Sequence, residues 1–309
     1  MGQKEAALAF TPISDNSAYS VSIDVSDFAE RETLDISEIS IPAVYQNLPV
    51  TEIGSQAFFR CRTLKSVVIP DGVKNIGDRA FSCTGLTSIV IPKTVEKFGN
   101  SIFAECKDLA SAKLPDNLKR IQNSMFEKCG KLTDITIPES VEYLRDGAFS
   151  GCSSLKSITI PKNVIDIGNG TFSGCGLESI TVAGDNQKFT SNGNCILMNN
   201  GEYLKAGCKT SVIPKGVKCI GRGAFFSCEG LTNISIPNRV IQIDAYAFYE
   251  CVNVTKITIP DSVEYADEEV FYGWQKTQTI QVNEQQSQKW KKSWKKGCKA
   301  KIEYRELKS

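Results

Sequence analysis

Residues 137–159 read IPESVEYLRDGAFSGCSSLKSIT, and residues 160–181, directly after them, read IPKNVIDIGNGTFSGCGLESIT. Ile-Pro, Val, Phe, Cys and Leu return at nearly fixed offsets. Self-similarity of this kind marks a repeat architecture and takes precedence over any local reading. The Ile-Pro step occurs at Ile41, Ile69, Ile91, Ile137, Ile160, Ile213, Ile236 and Ile259, with Leu114-Pro115 as a variant, so nine of the eleven prolines share one column. Neighbouring steps are 22 or 23 residues apart except across 41–69 and 160–213. A phenylalanine column, Phe58, Phe81, Phe103, Phe126, Phe149, Phe172, Phe225, Phe248 and Phe271, counts nine units.

Each unit contains a Leu-x-x-Ile-x-Ile segment such as Leu155–Ile160. Its period-2 alternation of β-branched residues predicts a short strand that proline then ends, having no N–H for a ladder. The following Val-x-x-Ile-Gly-x-x-Ala-Phe-x-x-Cys predicts an extended turn and about one turn of 3₁₀ or α helix, with glycine where the chain bends. One unit cannot bury its apolar residues alone, so the units must stack with parallel strands along one face. With further strands at Ile39/Ile41 and Ile280/Val282, eleven rungs are expected in one domain without a hinge.

The string Cys-x-x-Leu-x-x-Ile-x-Ile-Pro-x-x-Val-x-x-Ile-Gly-x-x-Ala-Phe, in nine copies over about residues 36–282, resembles the BspA-like, or Treponema pallidum-type, leucine-rich repeats. The resemblance implies an α/β solenoid: a curved, right-handed leucine-rich-repeat fold with short parallel strands on one face and short helical turns on the other. It also implies a bacterial surface or secreted protein used in adhesion, although some protists encode such repeats too.

Three segments depart from the repeat. Residues 1–40 alternate polar and apolar letters in YSVSIDVSDFAERETLDISEISIP (19–42) and predict a hairpin that caps the first rung. Within the solenoid, 41–282, an insertion at 183–212 predicts a hairpin of Cys195–Met198 and Tyr203–Ala206 around Asn199-Asn200-Gly201. It is either a decoration on the sheet edge or a binding loop. The basic segment 283–309 predicts a helical cap with Trp290 and Trp294 on one face. Those tryptophans either seal the last rung or, with the lysines around them, meet anionic lipid, glycan or nucleic acid.

The chain of 309 residues has 41 % hydrophobic content and net charge +1, so no global field favours nucleic acid or membrane. Charge is nonetheless uneven: residues 1–40 hold eight acidic and two basic side chains, residues 283–309 three and nine. No apolar run approaches the roughly 18–20 residues of a membrane span, and the N-terminus lacks signal-peptide character. Met1-Gly2 is expected to replace a removed export signal, and extracellular or cell-surface localisation is expected.

Histidine is absent, which removes Ser-His-Asp and Cys-His catalysis and histidine metal sites. Cys61, Cys83, Cys106, Cys129, Cys152, Cys175, Cys228 and Cys251 are assigned to one repeat column and should be buried thiols; Cys195 with Cys208 is the one disulfide the spacing allows. No cysteine pairs have zinc spacing and no phosphate loop occurs, so neither metal, cofactor nor enzyme activity is expected.

The expected function is non-catalytic binding of protein or glycan by a monomer through the outward strand positions. The candidate face is Ser88, Ser111, Lys113, Asp134, Thr136, Ser157, Thr159, Ser179, Thr181, Asn233, Ser235, Lys256 and Thr258. It is hydroxylic and lacks the Trp, Tyr and Arg anchors of binding hot spots. A histidine-free glycan-processing enzyme using paired carboxylates and a cytoplasmic scaffold are the alternatives.

Overall fold

A computed structural model of the chain describes residues 8–305; the parts of the predicted caps at 1–7 and 306–309 lie outside the described residues. In the fifth repeat, the Pro138 carbonyl accepts Val141 N–H at 3.0 Å and so begins a turn. The chain then runs through the two-residue strand Tyr143–Leu144 and a row of turns containing Phe149. Such rungs coil into β-solenoids. The described residues form two compact units, one of residues up to Leu155 with Asp166–Thr171, the other of Lys156–Ile165 with residues from Phe172 onward.

In both units one wall is built from the predicted short strands, two to five residues long. In the first, Ser88–Val90, Ser111–Lys113 and Asp134–Ile135 pair in parallel, as do Glu38–Ser40 and Ser66–Val68. In the second, Ser157–Ile160 pairs with Ser179–Val182, and Lys256–Thr258, Thr279–Asn283 and Lys301–Arg305 form a three-stranded parallel sheet. A second wall of two-residue strands runs beside it. Arg120–Ile121, Tyr143–Leu144 and Asp166–Ile167 belong to it in the first unit, and Cys219–Ile220, Gln242–Ile243 and Tyr265–Ala266 in the second.

The third wall corrects the α/β expectation. No helix lies within a repeat; the short helices among the described residues are Phe28–Arg31, Asn199–Gly201, Glu284–Ser287 and Lys292–Lys295. The predicted helical turn is instead a row of linked turns whose N–H groups alternate. Phe59 and Cys61 donate within their own rung to Gln56 and Phe58, both at 3.1 Å, while Phe58 and Arg60 donate to Ala80 and Ser82 of the next, at 2.7 and 3.0 Å. The alternation requires a left-handed residue at every fourth position. Gln56 (φ 57°) and Arg60 (φ 66°) hold it in the first rung, Gly147 (φ 63°) and Gly151 (φ 76°) in the fifth. A helix cannot accommodate such residues.

The Ile-Gly step has a different cause from the bend expected of it. Gly77 and Gly168 are not left-handed, but a Cβ on either would lie 2.5 Å from the backbone nitrogen of Ser55 or Asp146 in the preceding rung.

Inside these walls the phenylalanines stack almost parallel. Centroids are 5.3–5.7 Å apart from Phe58 through Phe81, Phe103 and Phe126 to Phe149, and 5.4 and 5.7 Å from Phe225 through Phe248 to Phe271. The cysteines below them are both packing and donors. The thiols of Cys106, Cys129, Cys152 and Cys251 reach the carbonyls of Phe81, Phe103, Phe126 and Phe225 one rung back, at 3.0–3.2 Å. Trp274 occupies the ninth place and makes the same bond with its indole N–H, to Phe248 at 2.9 Å.

Cys83 does not belong to this column. It takes the left-handed position (φ 60°) equivalent to Arg60 and Glu105, and buried Thr84 holds the core place. Rung two is one residue short after that point, so alignment by cysteine alone slips by one. Cys195 and Cys208 are separate buried thiols, without a disulfide between them.

The departures from the repeat also resolve. The insertion hairpin has the predicted bounds, with Asn199, Asn200 and Gly201 all left-handed. It is not a decoration on the edge. Tyr203–Ala206 pairs with Cys219–Ile220 and extends the short-strand wall, burying Cys195, Leu197 and Leu204 in the core.

At the N-terminus the hairpin arms are Leu8–Pro12 and Tyr19–Ile23, the first lying upstream of the stretch expected to contain both. The second pairs with Leu48–Ile53. Beyond it Arg31, 7 % exposed, caps the first turn row: its guanidinium donates to the carbonyls of Val25 and, at 2.8 Å, Gln56.

At the other end no continuous basic helix forms. Two one-turn helices and the strand Lys301–Arg305 stand in its place. The tryptophans seal the rung. Trp294 packs edge-on to Phe271 at 6.0 Å, and Trp290 donates to the Val263 carbonyl at 3.2 Å. Carbonyls of Ser293 and Gly297 receive the outward N–H groups of Glu269 and Gly273.

Arg31→Ala strands the Val25 and Gln56 carbonyls and is expected to cost about 2 kcal/mol, read from the urea midpoint. Arg31→Lys should restore only part, because an ammonium cannot span the same acceptors.

A second expectation concerns alkaline pH. Burial raises Cys61 and Cys195 to about 11 and Cys106 and Cys228 to about 12, above the 9.0 of a free thiol. The unfolded chain therefore loses these protons first. Stability should hold below about pH 9 and fall as pH rises from 9 towards 12. Thermal melts across that range should show the decline, shallower in a chain with Cys61, Cys106 and Cys228 changed to Val.

Candidate binding face

Along the strands of the first wall, side chains alternate between core and solvent because the strand period is two. Ile158 and Ile160 are buried, while Ser157 and Thr159 are exposed. Register places equivalent outward residues side by side from rung to rung.

In the first unit Ser88, Ser111 and Asp134 are direct partners, and Val90 pairs with Lys113. These residues and Thr136, just past its strand, line a shallow depression of about 530 Å³ that also includes Asp116. Five of the candidate residues thus share one surface. Val90, an outward position of the same strand column, lies open in it, 61 % exposed, and adds an apolar surface among the hydroxyls.

In the second unit Ser157 pairs with Ser179 and Thr159 with Thr181, whose hydroxyls meet at 2.9 Å. Beside them Glu178 takes Lys209 at 2.7 Å and Lys156 at 3.7 Å. The hydrogen bond from Lys209 leads in lowering the pKa of its carboxyl.

Asn233 and Ser235 are exposed as expected, but their predicted strand is missing: Leu231–Ile236 and residues 211–213 form no strand. The insertion accounts for this. It diverts Val212, whose N–H goes to the Gly193 carbonyl at 2.9 Å, and Thr210, whose hydroxyl goes to the Glu178 carbonyl at 2.6 Å. The next segment therefore has no strand to pair with, and the sheet resumes at Lys256–Thr258.

At this break Asn233, Ser235, Lys256 and Thr258 line a depression of about 680 Å³. Arg305 closes one side of it, held by the Ile259 carbonyl at 2.6 Å and Asp261 at 3.3 Å. Arg305 arrives from a strand 46 residues further on, so its place here was not readable from the repeat.

The outward strand columns carry no aromatic anchors. Such anchors stand on the turn wall of the second unit. Phe226, Tyr249 and Tyr272, all half-buried, stack at 4.4 and 4.6 Å, and Arg222 lies over Tyr246 at 4.6 Å. The signal was in the sequence: the letter after the core phenylalanine is aromatic in Phe225-Phe226, Phe248-Tyr249 and Phe271-Tyr272.

The displaced carboxylates among the described residues, Asp15, Asp108, Glu178, Asp267 and Glu303, all shift downward in pKa. For Asp108 the cause is hydrogen bonding from Lys131, one rung on, then from Lys65, two rungs back.

Comparison with known proteins agrees with this geometry. The solved structure of a leucine-rich cell surface protein from Faecalibacterium prausnitzii is similar, with 24 % identity, coverage of 100 % of this chain and 96 % of that one, and a TM-score of 0.66. The pneumococcal vaccine antigen PcpA is similar at 17 % identity, covering 91 % and 81 %, with a TM-score of 0.60. A leucine-rich repeat protein from Eubacterium ventriosum is similar at 22 %, covering 90 % and 73 %, with a TM-score of 0.59. At such identities these likenesses concern the fold. No curated protein matches the sequence. The family described as BspA type leucine rich repeat region matches residues 22–146, 74–201 and 197–304, and the chain belongs to that family.

Proposed function

We propose that this chain is a non-catalytic binding module of a secreted or cell-surface bacterial protein, and that it recognises protein or glycan partners through the long-strand face. The observation that carries the reading is the register of that face. It brings Ser88, Ser111 and Asp134 into one row and joins them to Lys113 and Thr136 in a single depression. Cross-rung hydrogen bonds fix the positions, so a partner meets a surface that loses little entropy on binding. The family assignment and the cell-surface description of the Faecalibacterium neighbour support the setting. No helix among the described residues is long and apolar enough to cross a membrane.

The test is to display the chain on arrays of matrix proteins, mucins and glycans, then repeat with Ser88→Arg and Ser111→Arg together. These outward changes should leave the melting temperature within about 2 °C, since exposed substitutions rarely cost more than about 0.5 kcal/mol. They should weaken the captured partner at least tenfold. Retained binding by the double variant would remove the face from the reading, and turnover of any glycan by the chain would replace binding with catalysis.

A further inference from the structure

The C-terminal segment has more charge than its capping task uses. Between Trp274 and Lys301 it holds eight lysines, no arginine and one acidic residue, Glu284. Two of the lysines face the last rung and neutralise it: Lys291 meets Asp267 at 2.5 Å and Lys296 meets Glu269 at 2.7 Å. Lys301 pairs with Glu303 at 2.8 Å. The other five, Lys276, Lys289, Lys292, Lys295 and Lys299, are exposed and make no ion pair among the described residues. Lys292 and Lys295 share the 3₁₀ turn Lys292–Lys295. Residues three apart eclipse in that helix and stand about 6 Å apart along its axis. Trp294, in the same turn, points inward and is buried.

We propose that this cap is a binding surface for a linear acidic polysaccharide, read by its spacing of charge and not by the identity of its sugars. The absence of arginine argues against bidentate recognition of one fixed phosphate or carboxylate and for point-charge attraction along a polymer. A lipid surface would need an exposed aromatic or aliphatic face to enter it. Trp290 and Trp294 are instead in the core, with the Trp290 N–H already committed to Val263. Single-stranded nucleic acid would need exposed rings to stack on, whereas Trp290 and Trp294 are buried. A polymer that carries an acid group on its sugars and no base to stack needs only the exposed ammonium groups. Release of its counterions would supply the driving force.

The experiment titrates the whole chain into a fluorescent linear oligouronide and, in parallel, a sulfated oligosaccharide, a neutral oligosaccharide of equal length, single-stranded DNA of equal charge, and phosphatidylglycerol vesicles. Both acidic saccharides should bind and the neutral one should not. Five contacts predict that log K falls against log salt with a slope of roughly −3 to −4. The triple change K289Q/K292Q/K295Q should weaken binding about tenfold or more at low salt and make the slope shallower by about 2. The change K74Q/K93Q/K107Q, equal in net charge but placed in the first unit, should leave both unaltered. Equal loss from the two triple variants, binding of the neutral saccharide, tighter binding of DNA, or capture by vesicles with a blue shift of tryptophan emission would each overturn the proposal.

Discussion

The structure depends on one constraint in the turn wall: successive N–H groups must alternate between their own rung and the next. Phe58 and Arg60 point to the following rung, whereas Phe59 and Cys61 turn back. That alternation places a left-handed residue at every fourth position, at a cost of about 1–2 kcal/mol wherever the residue is not glycine. The stack offsets the strain by satisfying the row's inward polar groups and bringing each phenylalanine over its neighbour. The cysteine column follows from it. A small thiol fits beneath the ring and supplies a further donor to the phenylalanine carbonyl, an arrangement that Trp274 reproduces with a different chemical group.

The core was legible in the sequence because its spacing has one physical origin, the length of chain needed to circle the stack once. Pro138, Phe149, Cys152 and Leu155 could be placed from letters alone, as could the hairpin around Asn199-Asn200-Gly201. Two features are hidden for related reasons. The turn's apolar spacing resembles a helical stripe, and backbone handedness leaves a faint trace when Gln56, Arg79 and Ser101 stand at left-handed positions that glycine would mark. Cys83 carries the column's letter, but it lies two residues past Phe81 where the column cysteines lie three past their phenylalanines.

The candidate face was legible only in part. Alternation located Ser88, Ser111 and Thr159 on the solvent side, and the register confirms their order. What lay beyond reach was the effect of the insertion on the rungs after it. Pairing by Tyr203–Ala206 continues the short-strand wall, but the diversion of Val212 interrupts the long-strand wall. The polar depression at Lys256 and Thr258 results from that interruption, and Arg305 reaches it from distant sequence.

The direction of the turn-wall hydrogen bonds gives the stack a polarity. Along the turn wall, rungs offer carbonyls toward the N-terminal side and N–H groups toward the C-terminal side, so the first and last turn rows have opposite needs. Arg31 and Ile23 bring donors to the first rung; Ser293 and Gly297 bring acceptors to the last. The caps are therefore not interchangeable. A rung duplicated within either unit would present to its neighbours the same two edges as the old, and such growth would proceed in steps of 22 or 23 residues.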